Sequence, residues 1–143
     1  MTKLIFQFSN ELRTMVDFGL VVLIWLVQLI IYPSFLHSQP ATFQDWHQVY
    51  SFRISLFVIP LMFAQVGLIG FQLFNAPGWP VYAAALLVLL IWISTFTQAV
   101  PLHNLISAGQ IQPDTLSLLV SRNWVRTVLW TIVFLLGWVR TST

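Results

Sequence analysis

The sequence predicts an all-α integral membrane protein, folded as an antiparallel bundle of four helices. Hydrophobic residues make up 58% of the chain and charged residues only 7%, against roughly 45–50% and about 25% in soluble domains. Four apolar runs each approach the length of about 20 residues that crosses a bilayer. The segments between them are short, which makes successive helices antiparallel neighbours. We therefore expect residues 1–143 to form a single four-span membrane domain.

The four spans follow one another with clear breaks. Span one is expected at about residues 15–35, and span two at about 46–74 after the polar loop HSQPATFQD. The turn NAPGWP, in which Pro and Gly are helix breakers, separates span two from span three at about 81–102. Span four is expected at about 116–140, after the loop SAGQIQPDT.

Prolines predict kinks in three of the spans. Pro33, Pro60 and Pro101 each remove a backbone hydrogen bond and displace the carbonyl four residues earlier. In span three, that carbonyl belongs to Thr97. A freed carbonyl in lipid needs a donor, which Asn123 or Arg126 of the neighbouring span could supply.

Basic residues near the span ends predict the orientation. Lys3, Arg13 and Arg140 lie on the side of the two termini, whereas Arg122 is the one basic residue at the opposite edge that lies outside a helix interior. Because Lys and Arg favour cytoplasmic segments, both termini are expected in the cytoplasm, with the chain in a bacterial inner membrane.

Several classes of function are disfavoured. The chain has no Cys, which excludes disulfides, thiolate metal ligands and a cysteine nucleophile. Six basic residues against four acidic ones are too few for a nucleic-acid interface. The sequence contains neither a catalytic triad pattern nor a phosphate-binding glycine loop.

Polar residues gather at the non-cytoplasmic edge, where spans one and three end and spans two and four begin. Asn123, Arg126, Thr127 and Trp130 follow the i, i+3, i+4, i+7 spacing of one helical stripe. The opposite edge has only Asn75 and a few charges, so polarity is expected on one side only. The residues that we assign to ligand binding are Gln28, Tyr32, Tyr50, Arg53, Gln98, Asn104, Asn123 and Arg126, and the candidates for acid–base chemistry are His47 and His103.

The charge balance at this edge predicts the kind of ligand. Arg53, Arg122 and Arg126 face only Asp45 and Asp114 on that side. A buried guanidinium without a carboxylate favours carbonyls, aromatic faces or an anionic ligand. A lipid headgroup, a carboxylated small molecule or a quinone-type carbonyl would each satisfy this requirement.

A metal or haem is a narrower alternative. His47 and His103 come from adjacent helices, as bis-His ligation of haem requires, and His37 could complete a zinc or copper site. A di-iron carboxylate centre is excluded because the chain has no Glu-x-x-His pair. We assign no metal ligand on this basis.

Most of the chain, roughly residues 25–130, resembles a group of small bacterial four-span membrane proteins of unknown function. Their pattern is Q-x-x-x-Y-P in span one, a His at the start of span two, Q-x-P-x-H in span three and N-W-x-R-T-x-x-W in span four. QAVPLH has one residue more between Gln and Pro than the tightest form of this pattern. The matching residues are Gln28, Tyr32, Pro33, His47, Pro60, Gln98, Pro101, His103, Asn123, Trp124, Arg126, Thr127 and Trp130.

A weaker likeness is to the anthrone-oxygenase-like four-span membrane proteins. This likeness implies oxygenation of an aromatic or polyketide-like substrate without a metal. The function expected from the residues themselves is binding of a small anionic or carbonyl-bearing amphiphile. The alternatives are a structural or assembly subunit of a larger membrane complex or homo-oligomer, and an oxygenase-like enzyme.

Overall fold

The computed structural model describes the backbone of residues 2–139 and the side chains of residues 4–39 and 42–139. Span one comprises α1 (Thr2–Leu26), a first π-helical segment (Val27–Ile31) and α2 (Tyr32–Phe35). Span two is α3 (Pro40–Asn75). Span three comprises α4 (Trp79–Ser94), a second π-helical segment (Thr95–Ala99) and α5 (Val100–Ser107), and span four is α6 (Pro113–Leu136).

The all-α fold is confirmed, with four helices long and apolar enough to cross a membrane and no strand in residues 2–139. The chain is therefore a multi-pass membrane protein. Span one packs against spans two and four, and span three packs against span four. We call the end of the bundle that contains Thr2, Asn75 and Leu136 the terminal end. The other end, with the turns after Phe35 and Ser107, is the distal end.

Proline and glycine set several of the helix ends. Pro40, Pro80 and Pro113 lie in the first turns of α3, α4 and α6, where a missing N–H leaves no bond unmade and φ is already helical. Gly109, with φ of 83°, follows α5 and ends span three in a left-handed conformation that favours glycine.

Spans one to three extend further than the sequence predicted, whereas the helix of span four begins at Pro113 and ends at Leu136, before the predicted end near residue 140. Span one is helical from Thr2 rather than from about residue 15, and span three continues to Ser107 rather than ending near residue 102. Residues 2–14 are thus a continuation of the first membrane helix. The orientation prediction rests partly on the side chain of Lys3 and on Arg140, which lie outside the described residues.

Two of the three predicted kinks take the form of π-helical segments. The carbonyls that Pro33 and Pro101 would displace belong to Leu29 and Thr97, and each lies inside a π segment. A π turn is wider than an α turn, so it accommodates the proline ring. Pro60 instead lies within the uninterrupted helix α3.

The bundle has two apolar clusters, and the polar site lies against both. The cluster nearer the terminal end contains Leu20, Ile91 and Val133, each at most 1% exposed. The distal cluster contains Phe35, Ile106 and Leu119, also at most 1% exposed. Large apolar side chains such as Phe57, Phe74 and Leu89 lie on the outside of the bundle, as expected where the solvent is lipid.

Candidate functional site

The predicted polar stripe of span four faces the centre of the bundle. Asn123, Arg126, Thr127 and Trp130 are all buried, because their spacing places them on one side of α6. Arg126 lies near the middle of this helix, about 20 Å along the axis from Pro113 at 1.5 Å per residue. The site therefore extends to the middle of the bundle. The sequence predicts it at one edge only.

Gln28 connects span one to this stripe. Its Oε1 accepts a hydrogen bond from Nδ2 of Asn123 at 2.8 Å, and its Nε2 donates to the carbonyl of Val120 at 3.2 Å. Thr127 Oγ1 lies 3.4 Å from the same Oε1. Asn123 in turn accepts a hydrogen bond from Nη2 of Arg126. Gln28 and Asn123 thus fix the position of the guanidinium.

A second set of hydrogen bonds runs from Arg126 to the distal end. Nη2 of Arg126 lies 3.4 Å from the hydroxyl of Tyr32, which is 2.7 Å from Nε2 of His103. Nδ1 of His103 is 2.9 Å from Nε2 of His47, and Nδ1 of His47 is 3.2 Å from Oγ of Ser107. This row of side chains, Tyr32–His103–His47–Ser107, is called the distal chain below.

The charge of Arg126 has no carboxylate partner among the described side chains. The ion pair among the described side chains is Arg13–Asp17, toward the terminal end. Arg126, 8% exposed, contacts the neutral groups of Tyr32 and Asn123. A charged side chain at the centre of a bilayer costs about 2.5–3.5 kcal/mol on insertion scales. A buried, uncompensated cation favours an anion beside it.

A cavity of 390 Å³ lies beside Arg126 and opens toward the lipid. Its polar end is formed by Tyr32, His103 and Arg126, with Tyr50, Ser51 and Asn104 nearby. The rest is apolar, and its outermost side chains come from span two and span three. These include Ile59, 51% exposed, Phe63, 61% exposed, and Phe96, 58% exposed. The opening therefore lies between spans two and three.

Three of the predicted site residues neither line this cavity nor belong to the hydrogen-bond networks beside it. Arg53 is exposed on the outer face of span two, in a shallow groove of 260 Å³ with Trp46 and Phe57. Gln98 lies in a separate, narrow crevice against span four, which Arg122, Asn123 and Arg126 also line. His37 is exposed after α2. The structure brings together Gln28, Tyr32, Tyr50, Asn104, Asn123 and Arg126, with His47 and His103 beside them.

The geometry of the histidines is that of a hydrogen-bond chain. The rings of His47 and His103 stack with centroids 5.1 Å apart, and all four ring nitrogens have protein partners. Across the described side chains, no group of three His, Asp or Glu is close enough to hold a metal ion. A haem or metal at these histidines stays a prediction that the hydrogen bonds do not favour.

The expectation that the carbonyl of Thr97 would bond to Asn123 or Arg126 is wrong. Asn123 donates to Gln28, and Nη2 of Arg126 donates to Asn123 and Tyr32. These two side chains are thus directed to span one rather than to the backbone of span three.

A second polar network lies toward the terminal end, so the prediction of one-sided polarity is also wrong. Arg13 Nε is 3.2 Å from Oδ2 of Asp17, and its Nη1 donates to Oε1 of Gln72 at 2.7 Å. Gln65 donates to Oδ1 of Asp17 at 2.6 Å and accepts from Nε1 of Trp130 at 3.1 Å. The seven-residue spacing of Gln65 and Gln72, and the four-residue spacing of Arg13 and Asp17, were the available signals.

The fold and this polar interior define the class of protein, a multi-pass helical membrane protein with a cationic cavity open to lipid. Comparisons with protein family models, with curated proteins and with solved structures find no match to this chain. The resemblance to small bacterial four-span proteins stays a prediction.

Proposed function

We propose that the protein binds a small amphiphile whose head group is anionic or carries a carbonyl oxygen. The observation that carries this proposal is Arg126, a buried mid-span cation that borders a 390 Å³ cavity and has no carboxylate partner among the described side chains. A head group with a negative or partly negative oxygen supplies the missing interaction, and the apolar walls accept its hydrocarbon part.

The residues divide into two roles. Arg126, Tyr32 and His103 border the cavity and hold the head group. Gln28 and Asn123 act as positioning residues, since they hold the guanidinium in place through hydrogen bonds. The tail lies along the apolar wall formed by Leu20, Ile24, Val58, Met62 and Trp92.

The proposed setting is a bacterial inner membrane with both termini in the cytoplasm. This orientation follows the excess of Lys and Arg near the terminal end. It puts the Ser107 end of the distal chain on the non-cytoplasmic side. Ligand reaches the cavity from the bilayer, because the opening is lined by the lipid-exposed side chains Ile59, Phe63 and Phe96.

The test is binding of dodecanoate to the detergent-purified protein, measured by isothermal titration calorimetry and native mass spectrometry. Arg126→Gln removes the charge and should weaken binding by about 10–100-fold, since hydrogen bonds to charged groups contribute about 1.5–3 kcal/mol. Arg122→Gln is the matched control, because Arg122 is exposed and four residues away on the same helix. Equal affinity in the two variants would contradict the proposal.

Asn123→Asp provides a complementary test without loss of volume. The new carboxylate would pair with Arg126 and occupy it, so dodecanoate should bind at least about tenfold more weakly. Methyl dodecanoate, which has no charge, should bind as it does to the wild type. A wild-type affinity for dodecanoate in this variant would exclude Arg126 as the anion site.

A second candidate function is that of an assembly subunit in a larger membrane complex or homo-oligomer. The mutual hydrogen bonds of Tyr32, His103 and Arg126 favour it, because polar side chains that satisfy one another can serve packing alone. Native mass spectrometry of protein extracted from its own membrane separates the two. A bound amphiphile lost in Arg126→Gln supports ligand binding, and a stable heteromeric mass without one supports the subunit.

A further inference from the structure

The distal chain has a defined hydrogen-bond direction. Arg126 has only donors, so the Tyr32 hydroxyl accepts from it and donates its own proton to Nε2 of His103. His103 then carries its proton on Nδ1 and donates to Nε2 of His47. His47 accordingly carries a proton on Nδ1 and donates to Oγ of Ser107. All donors therefore point away from the cavity and toward the distal end.

The two ends of the distal chain lie in different surroundings. Tyr32 and His103 border the lipid-open cavity, whereas His47 is fully buried between them and the distal turn. Ser107 is the last residue of α5, and its carbonyl accepts hydrogen bonds from the side chains of Gln44 and Gln48. The chain thus connects the cavity to the distal surface.

Few charged or titratable groups surround the distal chain. Arg126 faces Tyr32, and Tyr50 lies beside His47 with ring centroids 6.3 Å apart. Ser51 lies 3.5 Å from Nε2 of His47. No carboxylate forms an ion pair with either histidine among the described side chains. A proton that moves along the distal chain therefore passes no carboxylate that is paired with a histidine among the described residues.

From this geometry we infer that the site ionises its ligand: a hydroxyl-bearing weak acid enters from lipid and loses its proton to the distal surface through Tyr32, His103, His47 and Ser107. This inference rests on the proposed function and names its ligand class, an acidic phenol or enol with an apolar tail. Such an acid is neutral and lipid-soluble when it enters, and is held beside Arg126 as the anion.

The step balances without an electron acceptor. The ligand O–H bond breaks and its proton moves to the Tyr32 oxygen as the Tyr32 proton moves to Nε2 of His103. The Nδ1 proton of His103 moves to Nε2 of His47, the Nδ1 proton of His47 moves to Ser107, and the Ser107 hydroxyl proton enters water. Every hydrogen bond of the distal chain is then donated in the opposite direction, and Tyr32 donates to the ligand anion. Release of the neutral acid reverses the step.

The experiment uses 4-dodecyl-2-nitrophenol, whose anion is coloured, and its methyl ether as the matched probe that cannot ionise. The purified protein is mixed with the phenol in a stopped-flow spectrometer, at a pH where the micelle-dissolved phenol is neutral. We expect the coloured anion on the wild-type protein and release of one proton for each bound phenol. The methyl ether should bind without proton release.

His47→Gln interrupts the chain without touching the cavity. The anion should form at least about tenfold more slowly, because positioned acid–base groups contribute about 10²–10⁴-fold, while the final absorbance remains near that of the wild type. Ser107→Ala interrupts the chain at its half-buried end and tests the same point if the buried substitution prevents folding. His37→Gln, an exposed histidine outside the chain, is the control and should leave the rate unchanged.

Three results would overturn the inference. If the wild type binds dodecanoate but leaves the phenol neutral, the ionisation is wrong and the proposed function stands. If the anion forms as fast in His47→Gln or in Ser107→Ala as in the wild type, the route is wrong. Failure of the wild type to bind either probe would overturn both the inference and the proposed function.

Discussion

Two buried arginines differ in the partners that surround them. Arg13, 5% exposed, is paired with Asp17 and bonded to Gln72. Arg126, 8% exposed, contacts only neutral groups among the described side chains. Since the desolvation cost of a buried charge is offset by a close opposite charge, the charge of Arg13 is paired within the protein, although its Nη2 has no hydrogen-bond partner among the described residues. Arg126, without a carboxylate beside it in the described part of the protein, favours an external partner.

The Arg13–Asp17 pair gives a stability prediction. Asp17→Asn leaves a buried cation uncompensated and should lower the free energy of unfolding by about 3–5 kcal/mol. Chemical unfolding in detergent, followed by circular dichroism, measures this change. Glu11→Gln on the same helix, at an exposed position, should change it by less than about 0.5 kcal/mol.

The double variant Arg13→Gln, Asp17→Asn removes both charges and should be more stable than Asp17→Asn alone. If the double variant loses the sum of the two single effects, the two residues do not interact and the electrostatic account of this network is wrong.

Individual site residues could be predicted from the sequence only where they share one regular helix. The stripe from Asn123 to Trp130 was predicted because α6 has no interruption. The sequence pattern groups Arg53 with His47, but six residues rotate a side chain by about 240° at 3.6 residues per turn, and Arg53 lies on the outer face of span two. Gln65 and Gln72 were missed, because each is a single polar residue within an apolar run and their partners lie on another helix.

At the scale of elements, the sequence predicts where helices form but not where they change from α-helix to π-helix. Apolar runs of membrane length dictate helices because every backbone group must be bonded within the span. The π segments Val27–Ile31 and Thr95–Ala99 differ from α-helix by a widened turn, which leaves no mark in hydropathy. Pro33 and Pro101 indicate where the two π segments lie, whereas Pro60 lies in an uninterrupted α-helix, so proline alone does not predict the form of the helix.

The glycines of span two give a prediction about one element. A Cβ atom at Gly70, in the interior of α3, would have no neighbouring atom within 4 Å. Gly70→Ala should therefore raise the free energy of unfolding by about 0.5–1 kcal/mol, through the lower backbone entropy of the unfolded chain. Thermal and chemical unfolding in detergent provide the measurement, and a loss of stability would contradict the open space described.

Gly109→Ala is the opposite case and serves as the contrast. Gly109 has a φ of 83°, and a Cβ would lie 3.2 Å from Oε1 of Gln44. A left-handed conformation costs a residue with Cβ roughly 1–2 kcal/mol, so this variant should be less stable than the wild type.

At the scale of the whole molecule, the absence of cysteine in the sequence makes topology directly measurable. Gln110 is exposed in the turn between spans three and four, and Asn75 is exposed at the opposite end. In intact bacterial spheroplasts, a membrane-impermeant maleimide should label Gln110→Cys and leave Asn75→Cys unlabelled until the membrane is disrupted. The reverse pattern would invert the orientation, and labelling of both from outside would contradict a four-span topology.

The placement of the two arginines also bears on how the chain enters the membrane during synthesis. Arg13 and Asp17 lie on one helix, so span one can leave the translocon as a neutral unit before any other span exists. Arg126 belongs to the last span, and its partner Tyr32 comes from the first. Domains emerge N-terminus first, so biosynthesis delivers the unpaired charge only after a helix able to receive it is already in the bilayer.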